Sequence, residues 1–228
     1  MIDPKSLLDQ FIRGRSRSAS PFGGGAAHGG LASGAMGGLL GMVLSGGKRK
    51  RGLGGMMRAG GAAALAGLAY RAWRDWEAGR AAQPAPAASL ASDADVAPQF
   101  HPGAAPAPDG QPFELALIRA MVSAAKADGH VDAEEQRAIF AQLEKAELDA
   151  ASKAVVLDAL AHPADAAAVA RSAGTQEQAA ELYLVSRLAI DPDHPAERAY
   201  LEDLARRLNL PPPLVEHLSA QAEAALAS

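Results

Sequence analysis

The stretch TQEQAAELYLVSRLAIDPDHPAERAYLEDLARRLNLPPPLVEHLSAQA, residues 175–222, predicts three consecutive helices. Thr175 and Gln178 form a capping pair at the start of the first helix, where a threonine oxygen accepts a hydrogen bond from the backbone. Apolar residues then recur at helical spacing in each segment. They are Leu182, Val185 and Ala189 in the first, Leu201, Leu204, Ala205 and Leu208 in the second, and Leu214, Leu218 and Ala222 in the third. Prolines 211–213 suit the opening turn of the third helix.

The preceding residues continue this period, and they predict further helices. Phe113, Leu117 and Met121 recur every four residues, and apolar residues at 139, 140 and 143 and between 148 and 160 mark two more helices. A short alanine-rich helix over 164–173 ends at Gly174. Strand-like alternation does not occur, so the sequence predicts an all-α bundle over residues 113–228.

Charge and glycine are distributed unevenly along the 228 residues, and this divides the chain into regions. Residues 1–80 hold 12 Lys+Arg against 4 Asp+Glu and 19 of the 23 glycines, whereas residues 81–228 hold 10 against 22. Residues 81–112 are rich in proline and alanine without periodicity, which predicts a disordered, extended linker. The predicted regions are a short amphipathic segment over 1–20, a Gly-rich region over 21–80, the linker over 81–112 and the helical domain over 113–228.

The Gly-rich region favours association with a membrane. Residues 31–45 are apolar and uncharged, and Gly34 with Gly38 and Gly37 with Gly41 form small-xxx-small pairs through which helices self-associate in lipid. A second apolar run over 53–70 is followed by Trp73 and other aromatic and basic residues, which are typical of membrane interfaces. Three interpretations stay open: insertion as a hairpin or single span, peripheral attachment to anionic headgroups, and a flexible arm. In the second, the basic run 48–51 meets the headgroups together with Arg71, Arg74 and Arg80.

Two helix-to-helix corners in the acidic region resemble each other. The first is ADGHVDAEEQRAIFAQL from Ala127, and the second is IDPDHPAERAYLEDLARRL from Ile190. In each corner an aspartate precedes a glutamate by six residues: Asp128 with Glu134, and Asp191 with Glu197. The pattern predicts two pseudo-repeated halves packed about an approximate twofold axis.

These residues also resemble a known family. The first corner, A-K-A-D-G-x-V-x-x-E-E, resembles the TerB-like domain of tellurite-resistance proteins, and the whole layout is similar to the YebE-like inner-membrane proteins, a family of unknown function. The second corner with LARRLNLPPPLVEHL is the most specific part, and the resemblance covers nearly all of the chain. It implies a TerB-like helical domain on a membrane-proximal stalk, without an established catalytic activity.

The acidic corners are candidate metal ligands. Clustered carboxylates are the ligands that calcium and magnesium prefer, and His130 and His194 would add nitrogen ligands for a transition metal. The carboxylates concerned are Asp128, Asp132, Glu135, Asp191, Asp193 and Glu197. The TerB-like resemblance implies metal binding at four of them: Asp128, Glu135, Asp191 and Glu197. The other interpretation is structural, since an early Asp or Glu caps a helix and interacts favourably with its dipole.

The sequence carries no motif of an enzyme. It has no cysteine, which excludes thiolate metal sites and cysteine nucleophiles, and it has no phosphate-binding or triad signature in a strand-turn-helix context. We therefore expect no catalytic residue and no cofactor apart from a divalent cation.

The expected function is that of a membrane-associated, non-enzymatic interaction or ion-sensing protein, in envelope or metal and oxyanion stress. Expected partners are membrane lipids, a further copy through the glycines and another protein, but not nucleic acid. The expected location is the bacterial inner membrane, with the helical domain in the cytoplasm. The alternative is a soluble TerB-like metal-binding stress module with a flexible arm.

Overall fold

A computed structural model describes residues 62–83, 95–127, 150–190 and 194–227, and in these ranges the chain is all-helical. This confirms the predicted fold class. The helices are α1 (Ala62–Glu77), a short 3-10 helix (Pro98–Phe100), α2 (Phe113–Ala125), α3 (Ala150–Ala161), α4 (Ala166–Arg171), α5 (Gln176–Ala189), α6 (Pro195–Arg207) and α7 (Pro212–Ala227).

Helix α5 lies at the centre of the bundle. Every residue from Gln178 to Ile190 is buried, and α1, α2, α4, α6 and α7 all pack against this helix. A helix that is buried on all sides must carry apolar residues on all sides, as the run LYLV at 182–185 does. Helix α5 is therefore the helix around which most of the other described helices pack.

The predicted cap of α5 is present, and α4 has a cap that the sequence analysis did not predict. Thr175 Oγ1 accepts a hydrogen bond from Gln178 N at 3.2 Å, and Gln178 Oε1 accepts one from Gly174 N at 2.8 Å. Asp165 caps α4 in the same way through Ala168 N, at 2.9 Å. These bonds satisfy backbone donors that have no partner inside the helix.

The turn between α6 and α7 sets the angle at which these two helices meet. Asn209 has a positive φ of 52°, a left-handed conformation that asparagine tolerates better than most residues. Leu210 N donates to Ala205 O at 3.1 Å and Asn209 N to Arg206 O at 3.2 Å, which closes the last turn of α6. Helix α7 then starts at Pro212, within the proline run that predicted it.

Two hydrogen bonds to one hydroxyl, of which one is partly buried, join α2, α6 and the N-cap of α4. Tyr200 Oη donates to Ser123 Oγ at 3.0 Å, and Ser123 Oγ accepts a further hydrogen bond from Asp165 N at 3.0 Å. Burial raises the pKa of Tyr200 to about 12, so that its hydroxyl stays protonated and remains a donor. This contact ties α6 to the rest of the bundle.

The bundle begins earlier in the chain than residue 113, where the sequence analysis places its start. Leu65, Leu68 and Ala72 of α1 are buried, and α1 packs against α5 and α7. Phe100 is 1% exposed, and its ring lies 5.6 Å from that of Tyr70 and 5.8 Å from that of Trp73. The 3-10 helix of the predicted linker is therefore packed on α1, because Phe100 finds aromatic partners there, whereas most residues between 101 and 112 are exposed.

The structure tests the predicted membrane span and the predicted twofold repeat only in part. Within the four described ranges, no helix is both long enough and apolar enough to cross a bilayer. The predicted amphipathic segment, the apolar run over 31–45 and the first acidic corner lie outside these ranges. The twofold repeat, which needs the first corner, stays a prediction.

Candidate functional site

Of the four predicted metal ligands, the structure describes one. Glu197 lies in the first turn of α6 and is partly buried, whereas Asp128, Glu135 and Asp191 lie outside the described residues. Among the residues that are described, no group of three or more His, Asp or Glu side chains could hold a metal ion. The metal site at the corners therefore stays a prediction.

The described end of the second corner starts a helix. His194 is the N-cap of α6, and its Nδ1 accepts a hydrogen bond from Ala196 N at 3.3 Å. Pro195 follows at the first helical position, where the missing N–H costs nothing. In this arrangement Nδ1 of His194 is occupied by a hydrogen bond from the backbone of α6.

An open groove lies between α6 and α7, with residues of α5 at its floor, and we call it the α6/α7 groove. Its volume is about 660 Å³. Aliphatic side chains from both helices form its walls, and charged side chains of both signs are set among them. The aliphatic residues are Leu201, Ala205, Leu210, Pro212 and Val215, and the charged residues are Arg187, Arg198, Arg206, Glu202, Glu216 and Glu223.

The floor of the groove contains a buried arginine. The side chain of Arg187 is 6% exposed, and its guanidinium donates to Glu223 Oε1 at 3.3 Å and to Ile190 O at 3.4 Å. Both distances are at the long end for N–H···O bonds. Glu223 is mostly exposed, with 64% of its side-chain surface in solvent.

Two hydroxyl groups lie beside this arginine in the groove. Tyr183 Oη and Ser219 Oγ are 3.1 Å apart and join α5 to α7. Burial raises the pKa of Tyr183, so its phenol is neutral around pH 7. The groove thus combines aliphatic walls, a buried cation and polar hydroxyls.

A second charged surface is found at the C-terminal end of α1, and we call it the α1 basic end. Asp75 is the centre of three ion pairs, at 2.6 Å to Arg80, 3.8 Å to Arg71 and 3.9 Å to Arg74. Three arginines stand against Asp75 and the exposed Glu77 at this end of α1, so the cluster carries one net positive charge. Trp76 is half-buried beside it, with its ring 5.2 Å from that of Trp73.

The bundle also buries a carboxyl group that has no hydrogen-bond partner in the described chain. Glu181 of α5 is 1% exposed, and both of its carboxyl oxygens are unpaired. Burial raises its pKa well above the usual value, and the negative charges of Glu114 and Glu177 raise it further. Glu181 therefore keeps its proton to a higher pH than an exposed glutamate does.

The sequence analysis did not single out Arg187, Glu181 or the groove. The available signal was weak: Glu181 directly precedes the apolar run LYLV in QEQAAELYLVSRLA, and Arg187 follows it by two residues. A charged residue beside such an apolar run is either buried in the core or part of a functional site. Which of the two applies depends on the neighbouring helices, which the helix sequence does not specify.

Comparison with known proteins gives one family and one relative. The family model that matches residues 22–222 is described as "Protein of unknown function (DUF533)". The "Uncharacterized protein in ampR 5'region" of Yersinia enterocolitica is 36% identical over 95 residues, which are 42% of this chain and 68% of that protein. No solved structure matches the chain. Since the family model spans most of the sequence, the chain belongs to the DUF533 family.

Proposed function

We propose that this chain is a membrane-associated, non-enzymatic interaction protein, in which the cationic N-terminal part attaches to the bacterial inner membrane and the helical bundle binds a protein partner in the cytoplasm. The α1 basic end is the observation that supports the attachment most directly. It lies at the end of the Gly-rich region over 21–80, so it belongs to the cationic part of the chain. The resemblance to the YebE-like inner-membrane proteins favours the same location.

The side chains of the α1 basic end are accessible to a lipid surface. Arg74 and Arg80 are 55% and 59% exposed, and Trp76 beside them is only half-buried. Each arginine near an anionic leaflet contributes about 1 kcal/mol of attraction, and tryptophan prefers the headgroup level. Asp75 neutralises part of this charge, but a surplus of cations remains.

The proposal predicts binding of the full-length chain to anionic vesicles. We expect it to float with vesicles of phosphatidylcholine and phosphatidylglycerol, and to float less with phosphatidylcholine alone. Replacing both Arg74 and Arg80 by glutamine should weaken binding roughly thirtyfold, given about 1 kcal/mol for each arginine. Flotation of labelled protein in a density gradient measures this.

A matched control removes the same charge elsewhere. Arg171→Gln with Arg207→Gln, on α4 and α6, should leave vesicle binding close to that of the unchanged chain. If the full-length chain stays at the bottom of the gradient with anionic vesicles, the membrane part of the proposal is wrong.

The alternative function is a TerB-like metal-binding stress module, and the two acidic corners of the sequence favour it. We expect such a module to release or absorb heat when calcium, magnesium or zinc is titrated into the full-length chain. The double variant Asp128→Ala, Asp191→Ala should lose at least half of the binding stoichiometry, since each change removes a carboxylate ligand. Equal titration curves for the two proteins would eliminate the corners as the metal site.

A further inference from the structure

We propose that the α6/α7 groove binds an apolar protein segment that carries a carboxylate, and that Arg187 recognises this carboxylate. This deepens the proposed function, on which it rests, because it assigns the partner-binding surface of the bundle. The inference comes from three features of the groove: its burial of a cation, the weak hold on that cation and the balance of charge along its walls.

Arg187 is held by bonds that are long for a buried cation. Its guanidinium meets one oxygen of Glu223 at 3.3 Å and Ile190 O at 3.4 Å, whereas charge-assisted N–H···O bonds are usually about 2.7–2.9 Å long. Longer ion pairs occur elsewhere in the described chain, such as Arg74 with Asp75 at 3.9 Å, but there the arginine is 55% exposed and keeps its contact with water. The side chain of Arg187 is 6% exposed, and a charge removed from water needs close partners.

A carboxylate from a ligand would satisfy Arg187 better than Glu223 does. A guanidinium presents five N–H donors in a planar fork that matches a carboxylate with two parallel hydrogen bonds. Glu223 makes one such bond in the described structure. Because 64% of its side chain is already in solvent, Glu223 can leave Arg187 without becoming a buried, unpaired charge.

The charges along the groove favour a protein segment over a polyanion. Arg187, Arg198 and Arg206 are matched by Glu202, Glu216 and Glu223, so the groove has no formal net charge. An anionic membrane or a nucleic acid would face repulsion from three carboxylates, and their affinity depends on a cationic surplus.

The shape of the groove favours an amphipathic segment. Aliphatic residues of α6 and α7 line an open groove, and this is the kind of surface into which such a segment places its apolar side chains. The aliphatic contacts are Leu201 and Ala205 on α6 and Val215 on α7. The partner thus has aliphatic side chains on one face, with an aspartate or glutamate among them.

The test uses the full-length chain and two fluorescein-labelled peptides. Both peptides are capped, amphipathic and leucine-rich on one face, and they differ only in a central glutamate or glutamine. Fluorescence anisotropy should give about tenfold tighter binding of the glutamate peptide, the difference expected for one charge-assisted bidentate pair. Equal affinity of the two peptides, or binding of neither, would overturn the proposal.

Two variants distinguish Arg187 from a general apolar surface. Arg187→Gln should bring the glutamate peptide to the affinity of the glutamine peptide. Glu223→Gln, a change at an exposed side chain that leaves the core intact, should tighten the glutamate peptide several-fold by removing a competitor, with little effect on the glutamine peptide. If Glu223→Gln tightens neither peptide or both peptides equally, Arg187 is not the recognition residue.

A third arm separates a protein segment from a small acid. Free 4-methylpentanoate should not displace the glutamate peptide at the concentrations at which an unlabelled copy of the peptide does so. Displacement at equal concentrations would overturn the assignment to a protein segment. Vesicle flotation with Glu223→Gln is expected to be unchanged, so failure of peptide binding with normal flotation rejects the groove assignment alone.

Discussion

Glu181→Gln is expected to make the bundle more stable at neutral pH and to remove a loss of stability that grows as the pH rises. The carboxyl of Glu181 is buried, unpaired and raised in pKa by desolvation, with Glu114 and Glu177 adding to the effect. Glutamine has nearly the same shape but cannot ionise. The variant therefore keeps the packing and removes the titration.

The sign follows from proton binding in the two states. Above the ordinary carboxyl pKa of 4.5, the unfolded chain releases the proton of Glu181, whereas the folded chain retains it up to its raised pKa. Throughout that window the folded state binds one more proton, so the free energy of unfolding falls by about 1.4 kcal/mol per pH unit from this residue. Below pH 4.5 the carboxyl of Glu181 is protonated in both the folded and the unfolded state, so it adds no pH dependence to the free energy of unfolding.

Urea unfolding of both proteins at a series of pH values measures this effect. Trp73 and Trp76, both half-buried on α1, report the transition by fluorescence. The difference in unfolding free energy between Glu181→Gln and the unchanged chain should be small at pH 4.5 and should increase towards neutral pH. Glu202→Gln, at an exposed residue, is the control and should show no such increase. A difference that is independent of pH would show that Glu181 ionises normally in the fold.

Phe100→Ala is expected to lower the free energy of unfolding by about 3–5 kcal/mol, the usual cost of truncating a buried phenylalanine. The ring is 1% exposed and packs against Tyr70 and Trp73 of α1. Its loss would leave a cavity and would free residues 95–112 from the bundle. Urea unfolding and the tryptophan emission wavelength of the variant measure the two effects.

The neighbouring residue provides the control for this prediction. Gln99 is exposed on the same 3-10 helix, so Gln99→Ala should change stability by less than about 0.5 kcal/mol. A small effect of Phe100→Ala, similar to that of Gln99→Ala, would mean that residues 95–112 act as the linker that their composition predicts.

Local features of the fold were predictable from the sequence. The cap that Thr175 forms with Gln178 involves residues three apart, and the apolar faces of α5 and α6 follow from a repeat of three and four residues. The start of α7 was signalled by a proline run. All of these depend on neighbours within one or two turns of the chain, which is why a single sequence contains them.

The aromatic residues of α1 show where such prediction stops. Their position between an apolar run and arginines is typical of a membrane interface. In the structure Tyr70 and Trp73 hold Phe100, which belongs to a segment some thirty residues further along the chain. The same side chains suit both environments, so composition alone does not choose between them.

The sequence by itself determined that the C-terminal part is helical, where most of its helices begin, and that positive and negative charge are separated along the chain. Only the tertiary structure decided that α1 and Phe100 join the core, that Glu181 is buried without a partner and that Arg187 lies at the floor of the α6/α7 groove. The physical reason is distance along the chain. Caps and periodicity act between residues within a turn or two, whereas burial and pocket formation depend on helices that are far apart in sequence and meet only in the fold.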